Sequence, residues 1–398
     1  MTSSVRTSQV PAVDPAHTPM NTPGGSVRGE LRRIPAVDSL RIVCALIVFG
    51  SHLYALPVYA VLAHLTSRLP QLQAFDGAVV VVNRALFDGA AAVCVFFVIS
   101  GICIHWPVRA QPLSVGPYLV RRFVRVGLPL LVSLIVAQAV FGTTDFLDAV
   151  LWSLYCELIY YAIYPLLRVL AARVGWTFLV IASFAAALML AAQPDAGQGY
   201  FFAYGHAKTW ILGLPIWLTG VWIAQFVSFT GAALRKTTLN FLRFGVWLAA
   251  ALILTSQNLH AVPFKFSLLL LAPLAGFWVL YEIRNGYHHG TWAALESAGT
   301  WSFSVYLCHK FAIALFARFG LTVWHPLNWL LAVALGIALS LLFYRCVEWQ
   351  SHRLARWLAS RTPRMTSIAA TPKGLVQEPQ ERNFAAETAV GDASRKSR

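Results

Sequence analysis

Long runs of Ala, Val, Leu, Ile, Phe and Trp alternate with short polar segments from residue 39 to residue 347. Within the runs the apolar positions are nearly continuous, without the in-out alternation of a membrane barrel strand, and each is long enough to cross ~30 Å of hydrocarbon as a helix. The pattern predicts about ten spans, near 39–62, 84–106, 126–142, 148–169, 176–193, 208–229, 241–258, 266–283, 299–319 and 327–347. The fold class expected is therefore all-α, a polytopic transmembrane helix bundle of about ten helices. Residues 1–35 and 351–398 are polar and poor in large apolar side chains, which predicts a disordered leader and tail flanking one membrane domain over 36–350. No internal repeat is visible. No cleavable signal peptide is expected, because the first apolar run starts near Leu40 and no small-residue cleavage site follows it.

Composition agrees with that pattern. The chain is 58% hydrophobic and 12% charged, with a mean hydropathy of +0.63, well outside the range of ordinary soluble domains. The net charge of +15 would raise nucleic acid as a partner in a soluble protein. Here the basic residues fall mostly in alternate loops: Arg28, Arg32 and Arg33; Arg109, Arg121, Arg122 and Arg125; Arg168 and Arg173; Arg235, Lys236 and Arg243; Arg284; and the tail from Arg353. The positive-inside rule places these loops and both termini in the cytoplasm, so the charge is mainly a topology signal and no nucleic acid is expected. Trp106, Trp176 and Trp329 stand near span ends, as interfacial anchors do. The six cysteines lack metal-ligand spacing and read as buried free thiols; no metal is expected. The loop pair His288 and His289, without nearby carboxylates or thiols, reads as solvated.

Ionisable residues inside spans are costly and need a partner or a purpose. Arg41 and His52, in "RIVCALIVFGSH", are eleven positions apart, which puts them on one helical face about 16 Å apart. They could share a ligand groove, or Arg41 could snorkel while His52 bonds a neighbouring helix. Glu157 lies in the middle of the fourth span, in "WSLYCELIYY" with Ser153; it is paired with a cation such as Arg41 or His52, or it is protonated. Arg122 and Arg125, in "RRFVR", sit at i, i+3 and form either a fork suited to phosphates or a stop signal against anionic headgroups. Tyr306 and His309, in "WSFSVYLCHK", share a face that is a hydrogen-bonded packing seam or a substrate lining.

Taken together and in order, these segments resemble the acyltransferase 3 membrane family. "RIPAVDSLRIVCALIVFGSH" is similar to its opening, with the arginine, ten residues, histidine pattern on Arg41 and His52. "FFVISGICI", containing Ser100, resembles its second-span Phe-Phe-x-x-Ser-Gly motif. "RRFVR", "WSLYCELIYY", "SFSVYLCH" and "VEWQ" resemble its Arg-x-x-Arg, Trp-Ser-Leu-x-x-Glu, Ser-x-x-x-Tyr-Leu-x-His and terminal-glutamate segments. Two departures stand out. Cys94 occupies a position that is often acidic or polar, and no proline follows Glu348 in the last motif.

The resemblance implies transfer of an acyl group, with acetyl expected, from cytoplasmic acyl-CoA to a sugar hydroxyl of a polysaccharide, glycolipid or glycoside. Under it Arg122, Arg125 and Arg41 would hold the donor, His52 would be the base, Glu157 and Arg41 would assist, and Ser100, Ser153, Tyr306 and His309 would line the substrate path. Residue usage rich in Ala, Leu and Arg points to a bacterial inner membrane. The alternative is a proton-coupled secondary transporter or flippase, which buried Arg, His and Glu would also suit.

Overall fold

Inside a bilayer every backbone N–H and C=O must be bonded within the protein, and an apolar run meets that demand most simply as a helix. The computed structural model describes residues 34–53, 69, 82, 85–193, 204–258, 264–321, 326–364 and 367–369. The elements from Pro35 onward form one unit. Its helices are α1 (Val37–His52), α2 (Gly89–His105), α3 (Val115–Phe141), α4 (Asp148–Val174), α5 (Trp176–Ala191), α6 (His206–Phe226), α7 (Lys236–Asn258), α8 (Phe264–His289), α9 (Ala293–Gly299), α10 (Ser302–Arg318), α11 (Pro326–Phe343) and α12 (Trp349–Arg361). Among the described residues six helices are long and apolar enough to cross a membrane, and α5 is apolar but shorter. The protein is thus an all-α multi-pass membrane bundle.

Local chemistry sets several boundaries. Asp88 caps α2 by accepting the Ala91 N–H at 3.0 Å, the N-cap role that a short carboxylate favours. Gly142 ends α3 in the left-handed region, φ 74°, with its N–H on the Gln138 carbonyl. After α11 the chain does not stop: a π-turn, Tyr344–Glu348, leads directly into α12. The expectation of a disordered tail from 351 therefore fails over residues 351–361, where the amphipathic α12 packs along α3. The expected leader, 1–35, lies almost wholly outside the described residues, as does the tail after residue 369.

The centre of the bundle is the crossing of α2 and α6. A Cβ built on Gly101 would collide with the Trp217 carbonyl oxygen, and one on Gly220 with the Val98 carbonyl oxygen. The two glycines face each other's backbones, the small-residue packing that lets membrane helices approach closely. Around this crossing α2 also meets α1 and α8, and α6 meets α4, α5 and α8.

Three sequence expectations change. Trp176 is not an interfacial anchor: it is 1% exposed, edge-on to His105 at 4.8 Å and stacked on Tyr164 at 6.4 Å. The thiol of Cys346 is exposed and that of Cys103 half-buried; Cys44, Cys94, Cys156 and Cys308 are buried. Arg168, grouped above with the topology charges, is 1% exposed and donates to the carbonyls of Val108 at 2.9 Å, Gln111 at 3.1 Å and Ala369 at 2.9 Å. It thereby clamps the two-residue antiparallel pair β1 (Leu113–Ser114) and β2 (Ser367–Ile368).

Gly220→Ala should destabilise the protein by about 1–3 kcal/mol through overpacking. Gly245→Ala, where a new Cβ meets nothing within 4 Å, should stay within about 0.5 kcal/mol of the parent. Thermal unfolding in detergent compares the two.

Candidate active site

The polar side chains singled out in the sequence come from five helices and converge. α1 supplies Arg41 and His52, α2 Ser100, α3 Arg122 and Arg125, α4 Ser153 and Glu157, and α10 Tyr306 and His309. α1 packs against both α2 and α10, so its Arg41–His52 face is turned inward where the sequence placed it.

At the Arg41 end the basic groups gather near three carboxylates, Asp38, Glu157 and Glu348. Arg41 is 3.8 Å from Asp38 and 28% exposed, and lies within electrostatic reach of Glu157 and Glu348. Arg125 is within reach of Arg41, Arg122 and Glu348. Its Nε donates to His352 Nε2 at 3.0 Å, which makes that nitrogen the lone-pair position of a neutral ring. His352 also lies 3.7 Å from Glu348 Oε1. Glu348 is 2% exposed, and its Oε2 accepts the Ser304 N–H at 3.1 Å and the Ser304 hydroxyl at 2.5 Å. Arg122 sits 5.9 Å over each of the Tyr118 and Tyr161 rings, sandwiched by π-faces. Each of the two arginines of α3 is thus oriented by neighbouring groups.

Further along, Glu157 Oε1 accepts hydrogen bonds from Ser100 Oγ at 2.6 Å and from the Tyr161 hydroxyl. With its hydroxyl hydrogen directed to Glu157, Ser100 Oγ accepts a hydrogen bond from the indole N–H of Trp217 at 3.2 Å. Glu157 is therefore held by hydroxyl donors while Arg41 is near. One turn along α4, Ser153 Oγ lies 2.6 Å from the Tyr306 hydroxyl, which donates to the Val150 carbonyl at 3.1 Å.

At the far end His52 and His309 stack, with centroids 5.2 Å apart and planes 25° apart. Phe49 packs on His309 at 5.6 Å. His309 Nδ1 is 3.1 Å from the Val305 carbonyl. A carbonyl can only accept, so Nδ1 carries the hydrogen and Nε2 carries a lone pair. That Nε2 is buried without a hydrogen-bond partner. Lys310 stands within electrostatic range of both rings. The whole forms a polar column: cationic at one end, carboxylate and hydroxyl in the middle, two imidazoles at the other.

Four members of the column were not among the sequence candidates. Glu348 was visible only as the end of a motif, and Ser304 only as a neighbour of Tyr306. Tyr161 and His352 were missed. His352 follows Glu348 at i, i+4, a spacing that signals a shared helical face, but the polar composition after 351 masked the helix. His288, by contrast, sits apart from the column, 3.0 Å from the Gly231 carbonyl.

A multi-pass helical membrane protein with ionisable side chains from several helices gathered in its interior is the class that fold and site define. Residues 34–345 match the model of the acyltransferase 3 family, described as an acyltransferase domain, and the chain belongs to that family. It is a membrane acyl-transferring enzyme. The matched stretch stops three residues short of Glu348. No curated protein and no solved structure matches the chain.

Glu348→Ala should destabilise the protein by about 3 kcal/mol, because it strips the Ser304 N–H and hydroxyl of their acceptor and leaves Arg125 beside Arg41 and Arg122 with less compensation. Glu348→Gln, which keeps an acceptor oxygen, should cost clearly less. Equal losses for both variants in thermal unfolding would contradict this reading of Glu348.

Proposed function

We propose that the protein transfers an acyl group, acetyl in the simplest case, from cytoplasmic acyl-CoA to a hydroxyl of a sugar-containing acceptor. The observation that carries this reading is the polar column, which pairs an arginine cluster with a distant imidazole pair along one face of α1. Acyl-CoA is a phosphate-bearing donor whose reactive thioester lies at the end of a long, narrow arm. Arg122 and Arg125 suit its phosphates, since guanidinium groups offer planar, paired donors. Arg41 suits the stem of the arm or the developing oxyanion.

In the proposed step His52 takes the proton of the acceptor hydroxyl. The oxygen forms its bond to the thioester carbonyl carbon, the C–S bond breaks, and the thiolate leaves as free CoA after recovering a proton from the imidazolium. His52 is only partly buried, so a substrate hydroxyl has access to it, whereas His309 is fully buried. His309 packs against the His52 ring and fixes its plane. Glu157 and the Ser153–Tyr306 pair offer acceptors and donors for the remaining sugar hydroxyls. The positive-inside pattern of the basic loops supports an orientation with the arginines at the cytoplasmic face of a bacterial inner membrane and both termini inside.

Membranes carrying the protein should release CoA from acetyl-CoA when supplied with an envelope-glycan extract. His52→Ala should lower kcat by about 10²–10⁴-fold, the usual contribution of a positioned base. Arg122→Ala and Arg125→Ala should instead raise KM for acyl-CoA by about tenfold or more, as expected for lost charged hydrogen bonds. CoA release that is unchanged in His52→Ala would remove the base assignment. Absence of release with acetyl and longer donors would favour a carrier of protons and solute.

A further inference from the structure

A second site lies on the other face of α1. Arg41 and His52 face the polar column; Ser39, Val43 and Ile47, at helical spacing, line a partly open cavity of about 840 Å³ that α2, α7 and α8 also line. Most of its wall is apolar, from residues such as Ala92, Val95, Trp247 and Leu271. One end is polar and built. Glu282 is 7% exposed and accepts Arg243 Nε at 2.6 Å, Arg243 Nη2 at 2.8 Å and Trp278 Nε1 at 2.8 Å. Arg243 Nη1 donates to Asn240 Oδ1 at 3.0 Å. Lys236 stands at the same end, giving it a positive balance over Glu282.

Asn285 completes this end and points to a ligand. It is 6% exposed, and its Nδ2 donates to the Tyr281 carbonyl at 2.9 Å, which fixes the amide's orientation. Its Oδ1 is buried and has no hydrogen-bond partner. A buried acceptor without a donor is costly and calls for one supplied from outside the chain. From Lys236 to Ala250 the α7 wall rises about 21 Å, one leaflet's hydrocarbon depth of ~15 Å plus room for a head. The polar end is also the one that the positive-inside pattern assigns to the cytoplasm.

We propose that this cavity binds one anionic membrane phospholipid whose head carries a hydroxyl. Its acyl chain lies along the apolar wall, its phosphate meets Lys236 and Arg243, and its hydroxyl donates to Asn285 Oδ1. Apolar area holds the chain, but the phosphate and hydroxyl contacts select the head. The bound lipid would support the outer face of α1, the helix that presents Arg41 and His52. The proposal does not depend on the acyl-transfer reading.

The test is native mass spectrometry of the delipidated full-length chain in detergent, titrated with phosphatidylglycerol or with phosphatidylcholine of the same chains. The wild type should bind one phosphatidylglycerol per chain about tenfold more tightly than phosphatidylcholine, the scale of one lost charged or buried hydrogen bond. Asn285→Leu should erase most of that preference, and Ala250→Trp, which fills the apolar wall away from the polar end, should abolish the tight site in a folded protein. Equal binding of the two lipids by the wild type, or unchanged binding in both variants, would overturn the proposal and mean annular lipid only. Preferential capture of an isoprenoid-phosphate sugar over phosphatidylglycerol would also overturn it.

Discussion

The structure depends on one constraint: charge placed within hydrocarbon must be met by another group of the protein. Arg41 does not sit on α1 in isolation: Asp38 stands 3.8 Å away on the same helix, and Glu157 from α4 and Glu348 from the turn after α11 lie within electrostatic reach. Glu348 in turn is fixed by Ser304 of α10, so a single carboxylate ties the end of the α10–α11 hairpin back to its start. Because each partner is held by hydroxyls or a backbone N–H, the cluster has a defined geometry that a shifting surface ion pair would lack.

That geometry requires the helices to stand close. The reciprocal approach of Gly101 and Gly220 brings α2 and α6 into backbone contact, and Ser100, beside Gly101, thereby reaches both Glu157 and Trp217. A methyl group at either glycine would push Ser100 away from the carboxylate it serves. Packing and chemistry are coupled at adjacent residues of α2, which is why a stretch containing only one polar side chain, "FFVISGICI", matters to the site.

α1 has two tasks on two faces. Its polar face spans from the arginine cluster to the stacked imidazoles. Its apolar face lines a cavity with a built polar end. One helix therefore separates two chemically different environments.

The sequence by itself determined the all-helical membrane class, the shared face of Arg41 and His52, and the family through six ordered motifs, whereas six of the about ten expected spans stand among the described residues as helices long and apolar enough to cross a membrane. Those properties follow from local composition and helical period, which need no tertiary contact to be read. It did not determine that Trp176 is buried, that Arg168 clamps a strand pair, or that residues 351–361 continue as helix, because polar composition alone does not distinguish a solvated tail from an amphipathic helix with a partner. Nor could it join Glu348 to Ser304, Arg125 to His352, or His52 to His309. Those pairs lie tens to hundreds of residues apart or on facing helices, and only the packing of α1, α3, α10 and α12 around one another decided them.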